Sequence, residues 1–188
     1  MDSLSAKLSR NIYVLWSLAG CVSCGVLRTA YFALCHSLLS YGIMFWGQAA
    51  DAHRVFALQR RAVRIIAGLS YREHCKESFR TLKILTFSST FTLHSTHSLH
   101  VKTNLHKYKT GSDFHVYDTR NRECLNIPYF RLTKCQNGPN FLAIKYFNAL
   151  PVNVKNLPLP TFKKRIKDFL ISEAFYSCEE FLKCNKTF

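Results

Sequence analysis

SYGIMFWGQAADAHRVFALQRRAVRIIAGL, residues 40–69, decides how this chain is read: an aromatic turn containing Gly42 and Gly47 leads into a helix that is apolar on one side and arginine-rich on the other. At 100° per residue, Arg54, Arg60, Arg61 and Arg64 share roughly 120° of the circumference. Val55, Leu58, Ala62, Ile65, Ile66 and Leu69 lie opposite, with Phe56 and Val63 at the edge of that stripe. One face can therefore bury while the other stays wet. Asp51 is placed to cap the start of this helix and Gly68 to end it. Exposed arginines often do no more than keep a helix soluble. Here no Glu or Asp interrupts the set, whereas an ordinary solvated face mixes signs.

The bulk charge agrees with that local excess. Twenty-six Lys and Arg against eleven Asp and Glu give a net charge of +15. Residues 1–50 carry three basic and one acidic side chain, 51–110 eleven and three, and 111–188 twelve and seven. A basic excess centred on the middle of the chain points to a polyanionic partner, nucleic acid first and an acidic membrane surface second. The 188 residues can bury a core as one domain or slightly more, and 48% hydrophobic with 14% aromatic content argues against global disorder. Eight cysteines without a secretory signal predict reduced thiols and an intracellular location, nuclear or cytoplasmic. Cys21 and Cys24 form a CxxC pair, with Cys35 and His36 further on. A second well-spaced pair is missing, so the expected role is that of small buried hydrophobes, with neither metal nor cofactor.

Taken in order, residues 2–18 read as a helix with Leu4, Leu8, Ile12, Leu15 and Trp16 at helical spacing. A second helix is predicted from Val26 to Phe45, with Leu27, Tyr31, Leu34, Leu38 and Tyr41 along one face. Residues 11–27 and 29–50 are almost without charge, so a membrane hairpin at 11–50 is a rival reading. The first run is 17 residues, at the short limit for a span, and both runs contain Ser and Gly and are two-sided, which favours a buried core. Ser70 and Glu73 form a capping-box pair that predicts a helix from Tyr71 to Leu82. A further helix from Ser88 to Lys107 is rich in Ser, Thr and His. His94, His97 and His100 spread over roughly 120° of it, too wide to converge on one ion, and are expected to be surface histidines.

Residues 110–138 lose helical periodicity and read as a connector with short extended pieces. In DFHVYDTRNR, His115, Tyr117 and Thr119 alternate with Arg120 and Arg122 nearby, a pattern that can hold a phosphate and stack on a base, or equally pin a loop. Residues 139–188 return to short helices: Phe141 to Leu150, one capped by Thr161, and a terminal amphipathic segment with Phe175, Tyr176, Phe181 and Leu182. Phe162, Ile166, Phe169 and Leu170 form an apolar stripe, and Lys163, Lys164, Arg165 and Lys167 crowd the opposite side as a second basic face. Catalytic chemistry is poorly supplied. No Asp-Asp or Asp-x-Asp pair, Gly-rich phosphate loop, Gly-x-Ser-x-Gly elbow or His-Glu-x-x-His occurs. A polymerase or nuclease centre needs carboxylates to hold two metal ions.

Seven short segments follow one another in a recognisable order: DSLSAKLSR, LRTAYFALCHSLLSYGIMFWG, LQRRAVRIIAG, CKESFRTLKILT, HVYDTRNR, YFNALP and FKKRIKDFLISEAFYS. Together they cover almost the whole chain and resemble the C-terminal part of the reverse transcriptase of non-LTR retrotransposons, most closely the jockey-like elements. The resemblance implies a helical thumb and the region after it, which grips template-primer beside the catalytic palm. The palm, its paired aspartates, the endonuclease and a Cys-Cys-His-Cys knuckle have no counterpart in this sequence.

The resulting expectation is a mainly α chain with a thumb-like bundle at 1–109, a connector at 110–138 and a helical segment at 139–188. Its function would be non-catalytic binding of RNA, DNA or an RNA-DNA hybrid, with a reverse transcriptase palm in cis or in trans as protein partner. The binding residues would be Arg54, Arg60, Arg61, Arg64, His115, Tyr117, Arg120, Lys163, Lys164, Arg165 and Lys167. The alternatives are the membrane hairpin and a non-functional element remnant.

Overall fold

Helix is the regular structure of this chain in the computed structural model, which describes residues 2–104, 108–113, 116–117, 122–136 and 138–184. The helices are α1 Asp2–Leu18, α2 Cys24–Tyr31, α3 Ser37–Ser40, α4 Ile43–Trp46, α5 Ala52–Ala67, α6 Lys76–Thr81, α7 Phe87–Asn104, α8 Thr133–Gln136, α9 Pro139–Asn148, α10 Val152–Lys155, α11 Leu159–Glu173 and α12 Cys178–Lys183. A mainly α fold is thus what the apolar periodicity produces. Two compact units form: Met1–Phe91 with Leu170–Ser177, and Thr92–Phe169 with Cys178–Phe188. This division falls inside α7 and α11, and the sequence boundaries at 109 and 138 do not coincide with it.

In the first unit α5 packs along α1 and also meets α2 and α6. Leu8, Ile12 and Leu15 of α1 are buried, as are Val55, Ala62, Val63 and Ile66 of α5. Each Leu, Ile and Val among them contributes about 1.5–3 kcal/mol of hydrophobic stabilisation. Gln59 is buried on the same face of α5, which the apolar stripe did not foretell. Its amide donates to the Tyr31 hydroxyl at 2.9 Å and to the Leu85 carbonyl at 2.8 Å, so α5 is tied to two other segments. Burial pushes the Tyr31 hydroxyl well above its usual pKa, which keeps it a neutral partner in that network.

The single helix expected over 26–45 is interrupted twice. A π-helical turn, Phe32–His36, joins α2 to α3, where the Ser37 N–H reaches back to the Phe32 carbonyl. The Asn11 side-chain amide in α1 donates to the Leu34 carbonyl at 2.6 Å, so the turn is held from outside. After α3, Tyr41 is extended and Gly42 adopts φ +62°, a left-handed conformation that Gly takes without a Cβ clash. The helix expected over 71–82 shrinks to α6. Glu73 does accept the Ser70 N–H at 2.6 Å, and its own carbonyl accepts from Arg64 Nε at 2.7 Å in a turn that precedes the helix.

The Ser and Thr residues before and at the start of α7 are buried. Their hydroxyls have a use: Thr86 donates to the Phe175 carbonyl, Ser88 to the Tyr176 carbonyl at 2.8 Å, and Ser89 to the Leu170 carbonyl at 3.5 Å. They satisfy the carbonyls where α11 ends and the chain turns away at Ala174, φ +48°.

In the second unit Leu142, Ile144, Tyr146 and Phe147 of α9 are buried, as are Val154, Phe162, Ile166 and Phe181. His100 corrects the surface expectation: it is only 2% exposed, stacks on Phe162 with ring centroids 3.9 Å apart, and sets Nε2 3.1 Å from the Lys155 carbonyl. The connector yields one antiparallel bridge, Thr110 with Leu125, and no strand among the described residues. The Asn148 side chain takes the place of a second strand, accepting from the Leu125 N–H at 2.9 Å and donating to its carbonyl at 2.8 Å. Thr161 lies inside the first turn of α11 and is not its cap. All eight cysteines are free thiols, and Cys21 and Cys24 are exposed where burial was expected. Among the described residues no helix is long and apolar enough to cross a membrane.

A Cβ at Gly47 would lie 2.6 Å from both the Ile43 carbonyl oxygen and Phe91 Cδ2. Gly47→Ala is expected to cost about 1–3 kcal/mol in urea denaturation through overpacking. Burial holds the His100 imidazole below its ordinary value of 6.5, outweighing the Lys155 carbonyl contact that raises it. The unfolded chain therefore binds this proton more readily than the native one. Stability should be complete above pH 6.5 and fall below it, and the midpoint measured from pH 7.5 down to 5 should drop less steeply in His100→Gln.

Candidate nucleic-acid interface

The packing of α5 on α1 leaves its arginines on the outer side. Arg54 and Arg61 are exposed, and Arg60 and Arg64 are half-buried. All four line one open cleft of about 540 Å³, together with Ala57, Leu58, Asp2, Ser5 and Tyr71. Ala57 and Leu58 provide an apolar patch between the guanidinium groups. The cleft is therefore rich in cationic donors, with Asp2 its one carboxylate and Ser5 and Tyr71 its hydroxyls.

Each arginine is held differently. Arg54 pairs with Asp51 at 3.6 Å, and Asp51 makes no side-chain capping bond, contrary to its expected role. That pair is solvent-exposed and contributes little to stability. Arg60 stacks its guanidinium over Phe56, 5.0 Å from the ring centroid, and Phe56 meets Tyr176 edge-on at 5.1 Å. Arg60 Nε is buried with no acceptor among the described residues. Arg64 is oriented by its bond to the Glu73 carbonyl, which leaves its charge uncompensated. Ion pairs among the described residues involve Arg54, Arg80 and Lys183 but none of Arg60, Arg61 and Arg64.

The field of these groups reaches the neighbouring phenol. Burial pushes the Tyr176 hydroxyl up, its contact with Cys75 at 3.6 Å adds to that, and Arg60 and Arg64 pull it back down. Guanidinium groups at this density act on anions, because each offers up to five N–H donors in a planar fork suited to phosphate.

The other expected residues are not gathered into this cleft. Lys163, Lys164, Arg165 and Lys167 are all exposed on α11, in the second compact unit, where Phe162 and Ile166 bury the opposite side. Tyr117 is 80% exposed, while His115 and Arg120 lie outside the described residues. Asp2, Ser5 and Tyr71 were missed in the sequence. Nothing local marks Asp2 or Ser5, whose place depends on α1 crossing α5, while Tyr71 sits just after the Gly68 turn that ends the arginine helix. No group of three His, Cys, Asp or Glu side chains among the described residues is placed to hold a metal ion.

If the cleft takes phosphate chains, inorganic polyphosphate should raise the melting temperature through preferential binding to the native state. The rise should shrink with added NaCl and disappear in Arg61→Glu/Arg64→Glu, as read by differential scanning fluorimetry. Comparison with known proteins gives no match: no family model fits this sequence, and neither a curated protein nor a solved structure is found to resemble it.

Proposed function

We propose that the chain is a non-catalytic nucleic-acid-binding module derived from the thumb and post-thumb region of a non-LTR retrotransposon reverse transcriptase. The observation that carries the binding reading is the arginine cleft on α5, where three of four guanidinium groups have no carboxylate partner among the described residues. Clustered like charges raise the energy of the unliganded protein and are relieved by a polyanion. Phosphate contacts of this kind are independent of base sequence and release counterions on binding.

The ordered series of seven motifs supports the retrotransposon origin, and the mainly α fold is consistent with a thumb. The lysines of α11 supply a second basic surface of the same chemistry. In this reading the partner is an RNA-DNA hybrid or related duplex, and a palm supplied in cis or in trans would perform the chemistry.

Filter binding to an RNA-DNA hybrid tests the reading. Affinity should fall steeply with salt, and Arg60→Ala/Arg61→Ala/Arg64→Ala should weaken binding and lower the log-log salt slope by about 2–3. Unchanged affinity in that variant, or no binding by the native chain at low salt, would rule it out.

A further inference from the structure

Lys7, Tyr41 and Phe45 belong to a second groove, of about 460 Å³, whose wall also includes Leu4, Leu38 and Trp46. Tyr41 is 85% and Phe45 87% exposed. Two large aromatic rings held almost fully in water and lining one groove are informative in a way that a single exposed apolar residue is not.

The turn that presents them is rigid. Trp46 Nε1 donates to the Tyr41 carbonyl at 2.9 Å and its indole packs 5.5 Å from Phe87, so the chain from Tyr41 to Trp46 is closed on itself and anchored inward. Gly42 in its left-handed conformation makes this closure possible. Tyr41 and Phe45 are the two rings left pointing away from that anchor. Lys7, on α1, brings a cation to the same groove.

Position relative to the arginine cleft identifies the occupant. Asp2 and Ser5 of α1 line the arginine cleft, while Ser3, Leu4 and Lys7 of α1 line the aromatic groove. The two grooves therefore flank the first two turns of one helix. A helix with its side chains is about 10–12 Å wide, a distance that a strand of a few nucleotides spans. A cationic track on one flank and exposed rings with a lysine on the other form the combination that holds a single strand, phosphates on the cations and bases on the π-faces.

We infer that the groove of Tyr41 and Phe45 is a base-stacking subsite for single-stranded nucleic acid, continuous across the start of α1 with the arginine cleft. This rests on the nucleic-acid reading of that cleft and extends it. A paired duplex keeps its bases stacked on one another and engages the arginines alone. An unpaired end or single strand would engage both grooves.

The test uses the full chain with three probes: an oligodeoxythymidylate of about 12 nucleotides, within the usual site size for such surfaces, an abasic strand of the same length, and a duplex. Native protein should prefer the base-bearing strand to the abasic one by about tenfold or more, the effect of stacking one or two bases. Tyr41→Ala/Phe45→Ala should reduce thymidylate affinity to the abasic level and leave abasic and duplex binding unchanged. Tyr41→Trp should retain the preference. Both rings are exposed, so the melting temperature of the double variant should stay close to native, which separates lost stacking from lost folding.

Salt-sensitive binding with no preference for bases, or a preference that survives in the double variant, overturns this inference and leaves the arginine cleft standing. Failure to bind all three probes at low salt removes both. If the double substitution instead converts a dimer to a monomer in sedimentation while thymidylate affinity is unchanged, the groove is a self-association face and the stacking assignment is wrong.

Discussion

The packing of α5 on α1 is the contact on which the rest of the first unit depends. The two helices pack on each other, α1 burying Leu8, Ile12 and Leu15 and α5 burying Val55, Ala62, Val63 and Ile66. Helical periodicity then leaves the arginines no choice of side: a residue offset by roughly 180° from a buried stripe must be in water. The same contact brings Asp2 and Ser5 into the cleft and sets Leu4 and Lys7 on the flank of the aromatic groove. One apolar interface thus positions two chemically different surfaces.

The arginine cleft is costly in isolation, and the surrounding structure shows how the cost is contained. Arg60 spreads its charge over Phe56, whose edge-on contact with Tyr176 ties it to the segment after α11. Arg64 uses Nε on the Glu73 carbonyl, a neutral acceptor. Neither solution neutralises a charge, since an aromatic face and a carbonyl dipole orient a guanidinium without cancelling it. A carboxylate at either place would suppress the field in the cleft. The arrangement therefore preserves positive potential in the cleft.

Much of this was legible in sequence and some was not, for identifiable reasons. The α5 stripe, the Gly68 stop and the sidedness of α11 follow from a strong 3.6-residue pattern, and they survive folding. The glycines mark the turn around Gly42, but the helix expected to run on to Phe45 overshoots it, because Leu38, Tyr41 and Phe45 continue the apolar spacing while the backbone departs from it. The burial of Gln59 was hidden by its polarity, since its partners, the Tyr31 hydroxyl and the Leu85 carbonyl, lie 28 and 26 residues away. The burial of His100 is hidden for the same reason: its ring partner Phe162 and its carbonyl partner at Lys155 are distant in sequence. Local pattern reports which face is apolar, and it is blind to polar groups satisfied by tertiary partners.

The helix at α7 carries that argument furthest. By propensity, Ser, Thr and His make a weak helix that water would be expected to surround. Instead Ser89, Thr90, Thr92, Ser95, Thr96 and His100 are buried. Thr90 and Thr96 return their hydroxyls to carbonyls four residues back, at 2.9 and 2.8 Å, so these groups enter the interior already bonded. With their hydroxyls satisfied on their own helix, Thr90 and Thr96 present nearly apolar outer surfaces. A leucine-rich helix would bury more area, but it could not also serve the carbonyls of Leu170 and Tyr176. The polar composition that makes α7 unconvincing as an isolated helix is what fits it to the interior of this fold.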